Sequence, residues 1–375
     1  MKFILAPDKF KGSLTGIEFC NAVEEGIKSV LPNSEIIKLP LADGGDGTFE
    51  VLNYHLKGER ITIEVNDPLF RKIKASYLFI KSSQTAFIEM AQASGMDLLS
   101  PEEQNCFYTT SYGTGELIKD AIKKGAKNII LGIGGSATND CGTGMAAALG
   151  YKFLDKKGVE IKPIGKNLLS IVKIDASNMI KNLDSVSFKI ACDVTNPLFG
   201  KNGAATIYAP QKGANSKEIE LLDKGLQKFA KIILSQFKID VQKIPGSGAA
   251  GGMGAAGLSF LHAELLSGID LIKNLLEFDK KISNADWIIT GEGKLDAQTF
   301  SGKTIHGVIT SAKKYNIPVA AFCGSIQLSD KEMEKMGVVY ANSVLEKAIN
   351  LEDAMGNSYG YLKIIAEEFT ESISI

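Results

Sequence analysis

The residues able to do chemistry fall into a few polar or glycine-rich segments, most of them placed just after short apolar runs. Ala6 to Ser13 carries Lys9 and Lys11, and Ala42 to Thr48 reads Ala-Asp-Gly-Gly-Asp-Gly-Thr with Asp43 and Asp46. Gly132 to Asp140 holds Gly134, Gly135, Ser136 and Asn139. Ala191 to Leu198 carries Asp193, and Thr290 to Thr299 carries Glu292 and Asp296. Pro245 to Gly257 concentrates six glycines. Any one of these reads equally well as a turn, a helix contact or a solvated charge. Together they put carboxylates, ammonium groups and close-approach backbone on loops expected to converge at one sheet edge, where parallel sheets bind ligands.

Two fingerprints compete for the glycine-rich loops. Ala297 to Thr304 has a relaxed Walker A spacing, but Gly291 to Leu295 intervene between the preceding strand and the loop, which a phosphate loop does not allow. Lys303 remains a phosphate contact at a helix start. Gly132-Ile-Gly134-Gly-Ser-Ala137 matches a dinucleotide fingerprint, with Asp155 18 residues beyond Ala137. Gly142 and Gly144 lie where its helix should run, each costing about 1 kcal/mol relative to Ala. The polar run through Asn139 suits a nucleotide or phosphate loop better.

These loops need a scaffold, and the rest of the chain supplies one. Short apolar runs alternate with helical periodicity, predicting a parallel α/β architecture. Strands are expected at Phe3 to Ala6, Ile36 to Leu39, Asn128 to Ile133, Phe188 to Cys192, Trp287 to Thr290, Val319 to Cys323 and Val338 to Ala341. Helices are expected after Thr15, where Glu18 completes a capping box, and near Lys303 to Tyr315. Ile61, Ile63 and Val65 alternate, as do Ile73, Ala75 and Tyr77, which predicts an antiparallel element and a domain boundary between Glu59 and Ile80.

Composition narrows the partners. The 375 residues carry 42 Lys+Arg against 43 Asp+Glu, without a basic stripe or an acidic tail, so nucleic acid and membrane surfaces have no electrostatic footprint and small molecules are the expected partners. Five scattered cysteines and three histidines argue against a disulfide framework or structural zinc. Only four apolar residues precede Pro7 and Asp8, too few for a secretory signal, and a cytoplasmic location is expected. Oligomeric state is not legible.

Taken in order, APDKFKGSLT, LADGGDGT, IEMAQASGM, TSYGTGELI, GIGGSATNDCGTGMAAALG, DVTNPLFG, APQKGA, PGSGAAGGMG and TGEGKLDAQTFSGKT resemble the type I glycerate kinase family from Ala6 to Thr304. Asp46 stands where that family usually has Glu, Cys141 where it has Gly, Ser247 where it has Ala and Ile305 where it has Pro. The resemblance implies a doubly wound parallel-sheet domain, residues 1–66 plus 285–375, interrupted by a second α/β domain at 67–284, with the active site in the cleft between them. It also implies transfer of the γ-phosphoryl group of ATP to D-glycerate with Mg²⁺, favouring 2-phosphoglycerate and leaving 3-phosphoglycerate open.

Phosphoryl transfer requires held phosphates, neutralised charge and an aligned hydroxyl. Gly134, Gly135, Ser136 and Asn139 fit the phosphates, and Lys9 and Lys11 fit phosphate or the glycerate carboxylate. Asp43 and Asp46 fit Mg²⁺. Asp193, Glu292 and Asp296 are alternatives for the base. An NAD-dependent oxidoreductase of a small hydroxy acid is the competing reading, and a non-catalytic nucleotide sensor the third.

Overall fold

The structure, a computed structural model, describes residues 1–45, 47–296 and 304–374. Its contacts divide the chain into two units: Met1–Asp43 with Glu50–His55 and Ile269–Ile375, and Gly44–Phe49 with Leu56–Gly268.

The first unit is built on a five-stranded, wholly parallel sheet. Its order is Val338–Ser343, Val319–Cys323, Trp287–Thr290, Lys2–Leu5, Glu35–Lys38. The central strands are apolar on both faces because helices cover both sides: Phe3, Ile4, Leu5, Ile288 and Ile289 are fully buried. Helix Gly16–Val30 begins at the expected capping box, with Thr15 and Glu18 satisfying each other's backbone N–H groups. It lies tightly on helix Ser358–Ile373; a Cβ on Gly26 would come within 2.4 Å of the Lys363 carbonyl oxygen. The strand order reverses between Lys2–Leu5 and Trp287–Thr290. At such a reversal the loops leaving the two strands diverge and open a crevice at their carboxyl ends.

The second unit has a six-stranded mixed sheet in the order Glu264–Leu266, Ser187–Ala191, Asn128–Gly132, Thr85–Glu89, Lys72–Ile80, Glu59–Asn66. The first four strands are parallel and the last two form the antiparallel hairpin that the alternation near residues 61–77 predicts. Its core collects Leu131, Phe153, Phe229 and Phe260, all essentially without exposure.

The domain limits expected from sequence differ from these units at both ends. The 66/67 limit falls at the tip of the hairpin, whose eight paired positions keep both strands in one sheet. At the other end, helices Gly268–Leu275 and Phe278–Ile282 go with the first unit apart from Gly268 itself. Lys273 Nζ there donates to the Gly307 carbonyl at 3.0 Å, and Asp279 accepts from Ser311 and Lys314.

Candidate active site

In the first unit the loops leaving Lys2–Leu5 and Trp287–Thr290 are tied together at the order reversal. The Ala6 N–H donates to the Ile289 carbonyl and the Asp8 N–H to the Gly291 carbonyl, both at 2.8 Å, and Thr290 Oγ1 donates to the Ala6 carbonyl. This register sets Asp8 beside the second loop. Its Oδ2 accepts from Thr304 Oγ1 at 2.5 Å and its Oδ1 from the Lys9 N–H at 2.7 Å. Burial pushes the Asp8 carboxyl up from 3.8 to about 6; the bond from Thr304 works against that rise, and the neighbouring Asp43 carboxylate adds to it. Two carboxylates repelling each other in a desolvated crevice are a ready receptor for a cation.

Asp8 is thus the residue that sequence reasoning passed over in favour of its neighbours. The available signal was its position, the third residue after a central strand. Lys9 and Lys11 lie on the same loop, with the main chain of Lys11 beside Gly293. Glu292 is 8% exposed, and its carbonyl accepts from the Gly324 N–H. Asp296 is paired with Lys294 at 3.2 Å. Asp46 and Lys303, with all of Ala297 to Lys303, lie outside the described residues.

The second unit holds Gly134, Gly135, Ser136, Asn139 and Asp193. The first four lie on the loop leaving strand Asn128–Gly132, and Asp193 follows the adjacent parallel strand Ser187–Ala191. Asp193 Oδ1 accepts from the Gly268 N–H at 2.9 Å. Gly134 and Gly135 are exposed, whereas Ser136 through Asp140 are buried. Bonds from Met96 N–H to the Gly135 carbonyl, and from Ala137 N–H to the Ser94 carbonyl, fasten the loop. Asp140, 1% exposed, accepts from the Ser111 N–H and hydroxyl and from the Gly142 and Gly144 N–H groups; burial nonetheless pushes its carboxyl upward. Gly251 seals the far side at φ +67°, its main chain so close that a Cβ would sit 2.1 Å from the Thr138 carbonyl oxygen. Both amide atoms of Asn139 and the hydroxyl of Thr138 are buried without a hydrogen-bond partner. An unpaired buried polar atom costs about 1–3 kcal/mol, so this loop is not optimised for stability alone.

Segment Ala42 to Thr48 is divided. Asp43 belongs to the first unit, and Gly44 to the second, where at φ +86° it leaves room for Ala191, whose Cβ would be 2.7 Å from any side chain there.

The dinucleotide reading finds no geometry to carry it. Helix Thr143–Ala148 starts six residues after Ala137 and is itself only six residues long. Asp155 is engaged in a turn, accepting from the Lys157 and Val159 N–H groups. Among the described residues no cluster of three or more His, Cys, Asp or Glu side chains could hold a metal. A pair such as Asp8 and Asp43 still fits Mg²⁺, which takes one or two protein carboxylates and completes its shell with water and phosphate oxygens. No helix among the described residues is long and apolar enough to cross a membrane.

A parallel order reversal with Asp8 beside Asp43, and a separate glycine-rich loop at a strand's carboxyl end, are features of an α/β enzyme acting on a small molecule. The chain belongs to the glycerate kinase family, whose model matches residues 3–374. It is 43% identical to the glycerate 2-kinase of Escherichia coli, over 96% of this chain and 94% of that one, and 41% identical to the glycerate kinase of Bacillus subtilis, over 100% and 98%. The crystal structure of the putative glycerate kinase 2 of Salmonella typhimurium superposes with a TM-score of 0.90 at 40% identity, covering 100% of this chain and 98% of that one.

Proposed function

We propose that the protein transfers the γ-phosphoryl group of ATP to a hydroxyl of D-glycerate, giving 2-phosphoglycerate. The near-full-length kinship with the E. coli glycerate 2-kinase carries this reading. The Asp8–Asp43 pair supports it, being what a Mg²⁺-dependent phosphoryl transfer needs and a hydride transfer does not.

In this mechanism Asp8 and Asp43 hold Mg²⁺, with Asp46 as a further candidate. When bound, Mg²⁺ neutralises charge on the phosphate oxygens. Gly134, Gly135 and Ser136 present N–H groups to phosphate, and Asn139 and Lys303 are candidates for further phosphate contacts. Lys9 and Lys11 neutralise the transferred phosphoryl group or the glycerate carboxylate. The hydroxyl proton goes to a carboxylate, for which Asp193, Glu292 and Asp296 are the candidates. Asp296 pairs with Lys294 through Oδ2, and Asp193 accepts from the Gly268 N–H through Oδ1.

The reading is tested by mixing ATP, Mg²⁺ and glycerate with the protein and following ADP; no ADP above the glycerate-free control would end it. Product identity follows from coupling to enolase. A signal without added phosphoglycerate mutase is expected, and a strict need for mutase would make the product 3-phosphoglycerate. Asp43→Asn should lower turnover by at least about 100-fold, the usual loss when a charge-stabilising group is removed. Near-normal turnover in a folded variant would take Asp43 out of the site.

A further inference from the structure

Lys212 lies on the turn Pro210–Lys212, within the APQKGA segment, and is 5% exposed. Its Nζ donates to Ser136 Oγ at 2.7 Å and to the Thr138 carbonyl at 2.9 Å. Among the described residues no carboxylate lies within salt-bridge distance of it. Asp140 is near enough to favour the charged form, but its carboxylate is already engaged by Ser111, Gly142 and Gly144. Burial holds the ammonium down, to about 8. A buried cation without an ion pair is expensive and uncommon, because the surroundings do not replace the lost hydration.

The direction of the Ser136 bond matters. An ammonium has donors only, so Ser136 Oγ accepts and its own proton points elsewhere. That hydroxyl donates to no described residue. Nor do the main-chain N–H groups of Gly134, Gly135 and Ser136, which lie outside the strand ladder. One short loop therefore offers four donors, with a buried ammonium hydrogen-bonded to its serine. Consecutive free N–H groups of this kind form an anion-binding concavity.

We propose that Lys212 is a positioning residue for a substrate oxyanion bound at Gly134–Ser136, acting through the Ser136 hydroxyl, which it orients and polarises. The oxyanion is a phosphate of the nucleotide or the carboxylate of the acid acceptor. The proposal rests on the kinase reading for the identity of those ligands, and it adds a residue that reading does not use. Loss of one charge-assisted bond is worth about 10- to 100-fold in affinity.

The test is calorimetric and needs no turnover. ATP without Mg²⁺, and separately D-glycerate, are titrated into the full-length wild type and into Lys212→Gln, which keeps a side-chain donor and removes the charge. One ligand is expected to weaken about 10- to 100-fold while the other stays within about twofold, with Tm shifted by no more than a few degrees. Loss of ATP binding identifies the anion as phosphate, and loss of glycerate binding identifies it as carboxylate. Unchanged affinity for both, or equal weakening of both with a lowered Tm, overturns the proposal in favour of a purely structural lysine. Should the Gln variant fail to fold, Ser136→Ala removes the relay and should weaken the same single ligand several-fold; wild-type affinity for both ligands there also overturns it. Failure of the wild type to form ADP from ATP and glycerate would defeat the kinase reading alone, because these titrations do not depend on catalysis.

Discussion

Asp8→Asn is expected to reduce turnover by roughly 100- to 1000-fold while leaving Tm at pH 7.5 unchanged or slightly raised. The two effects have one origin. Asp8 sits where the strand order reverses, held against the second loop by its own N–H and by Thr304, beside Asp43. Its carboxyl is pushed from the usual 3.8 to about 6 by burial first. Asn keeps an acceptor for Thr304 but cannot carry charge, so the Mg²⁺ site is lost and the desolvation penalty disappears with it. A variant that both retains activity and melts well below wild type would identify Asp8 as a structural residue.

The pH dependence has a definite sign. Between pH 3.8 and about 6 the folded protein binds the Asp8 proton more tightly than the unfolded chain does. Asp8 therefore lowers stability progressively as pH rises across that window, and its full penalty persists above it. Wild type and Asp8→Asn should converge in Tm near pH 4, with the variant equal or higher at neutral pH. Metal affinity runs the other way, because binding requires the proton to leave. Apparent Mg²⁺ affinity of the wild type should fall up to about tenfold per pH unit below about 6, and a wild-type profile flat from pH 7 to 5 would refute the assignment.

Gly251→Ala should destabilise the protein by about 3 kcal/mol or more, a loss reserved for substitutions that combine backbone strain with a steric clash. Gly251 adopts φ +67°, and its added Cβ would meet the Thr138 carbonyl oxygen at 2.1 Å and the Asn139 Cα at 2.6 Å. The Gly251 carbonyl also accepts from the Cys141 N–H, so the two loops cannot part without breaking that bond. Gly158→Ala is the control. Gly158 has φ +78° but nothing within 4 Å of a Cβ, which leaves only the left-handed backbone cost of about 1–2 kcal/mol. Equal losses in denaturant unfolding would mean that the close approach at Gly251 contributes nothing. Because the displaced loop runs into Ser136, the Gly251 variant should also bind its oxyanion more weakly, whereas the Gly158 variant should not.

Local order was written plainly in the residues. Fully apolar runs such as Phe3-Ile-Leu-Ala6 read as buried parallel strands, and the Thr15–Glu18 pair marks a helix start. Alternation at Ile61, Ile63 and Val65 and again at Ile73, Ala75 and Tyr77 marks the hairpin, and each is found within a residue or two. Such features depend on neighbours a few positions apart, which is the range over which periodicity and capping operate. Strand Thr85–Glu89 escaped notice because only Ala86, Phe87 and Ile88 in it are apolar, a run shorter than the four or so residues that mark a buried strand. The motif loops likewise identified the family, since their order and composition survive without any coordinates. Tertiary structure alone decided which of those loops meet within each unit. Strand Lys2–Leu5 lies beside Trp287–Thr290 across more than two-thirds of the chain, and that pairing makes Asp8, unremarkable in its own loop, the partner of Thr304 and neighbour of Asp43. Lys212 reaches Ser136 across 76 positions. Composition at either end of such a contact is ordinary; the contact follows from sheet order and from burial that leaves an ammonium no other partner, and both are properties of the folded chain as a whole.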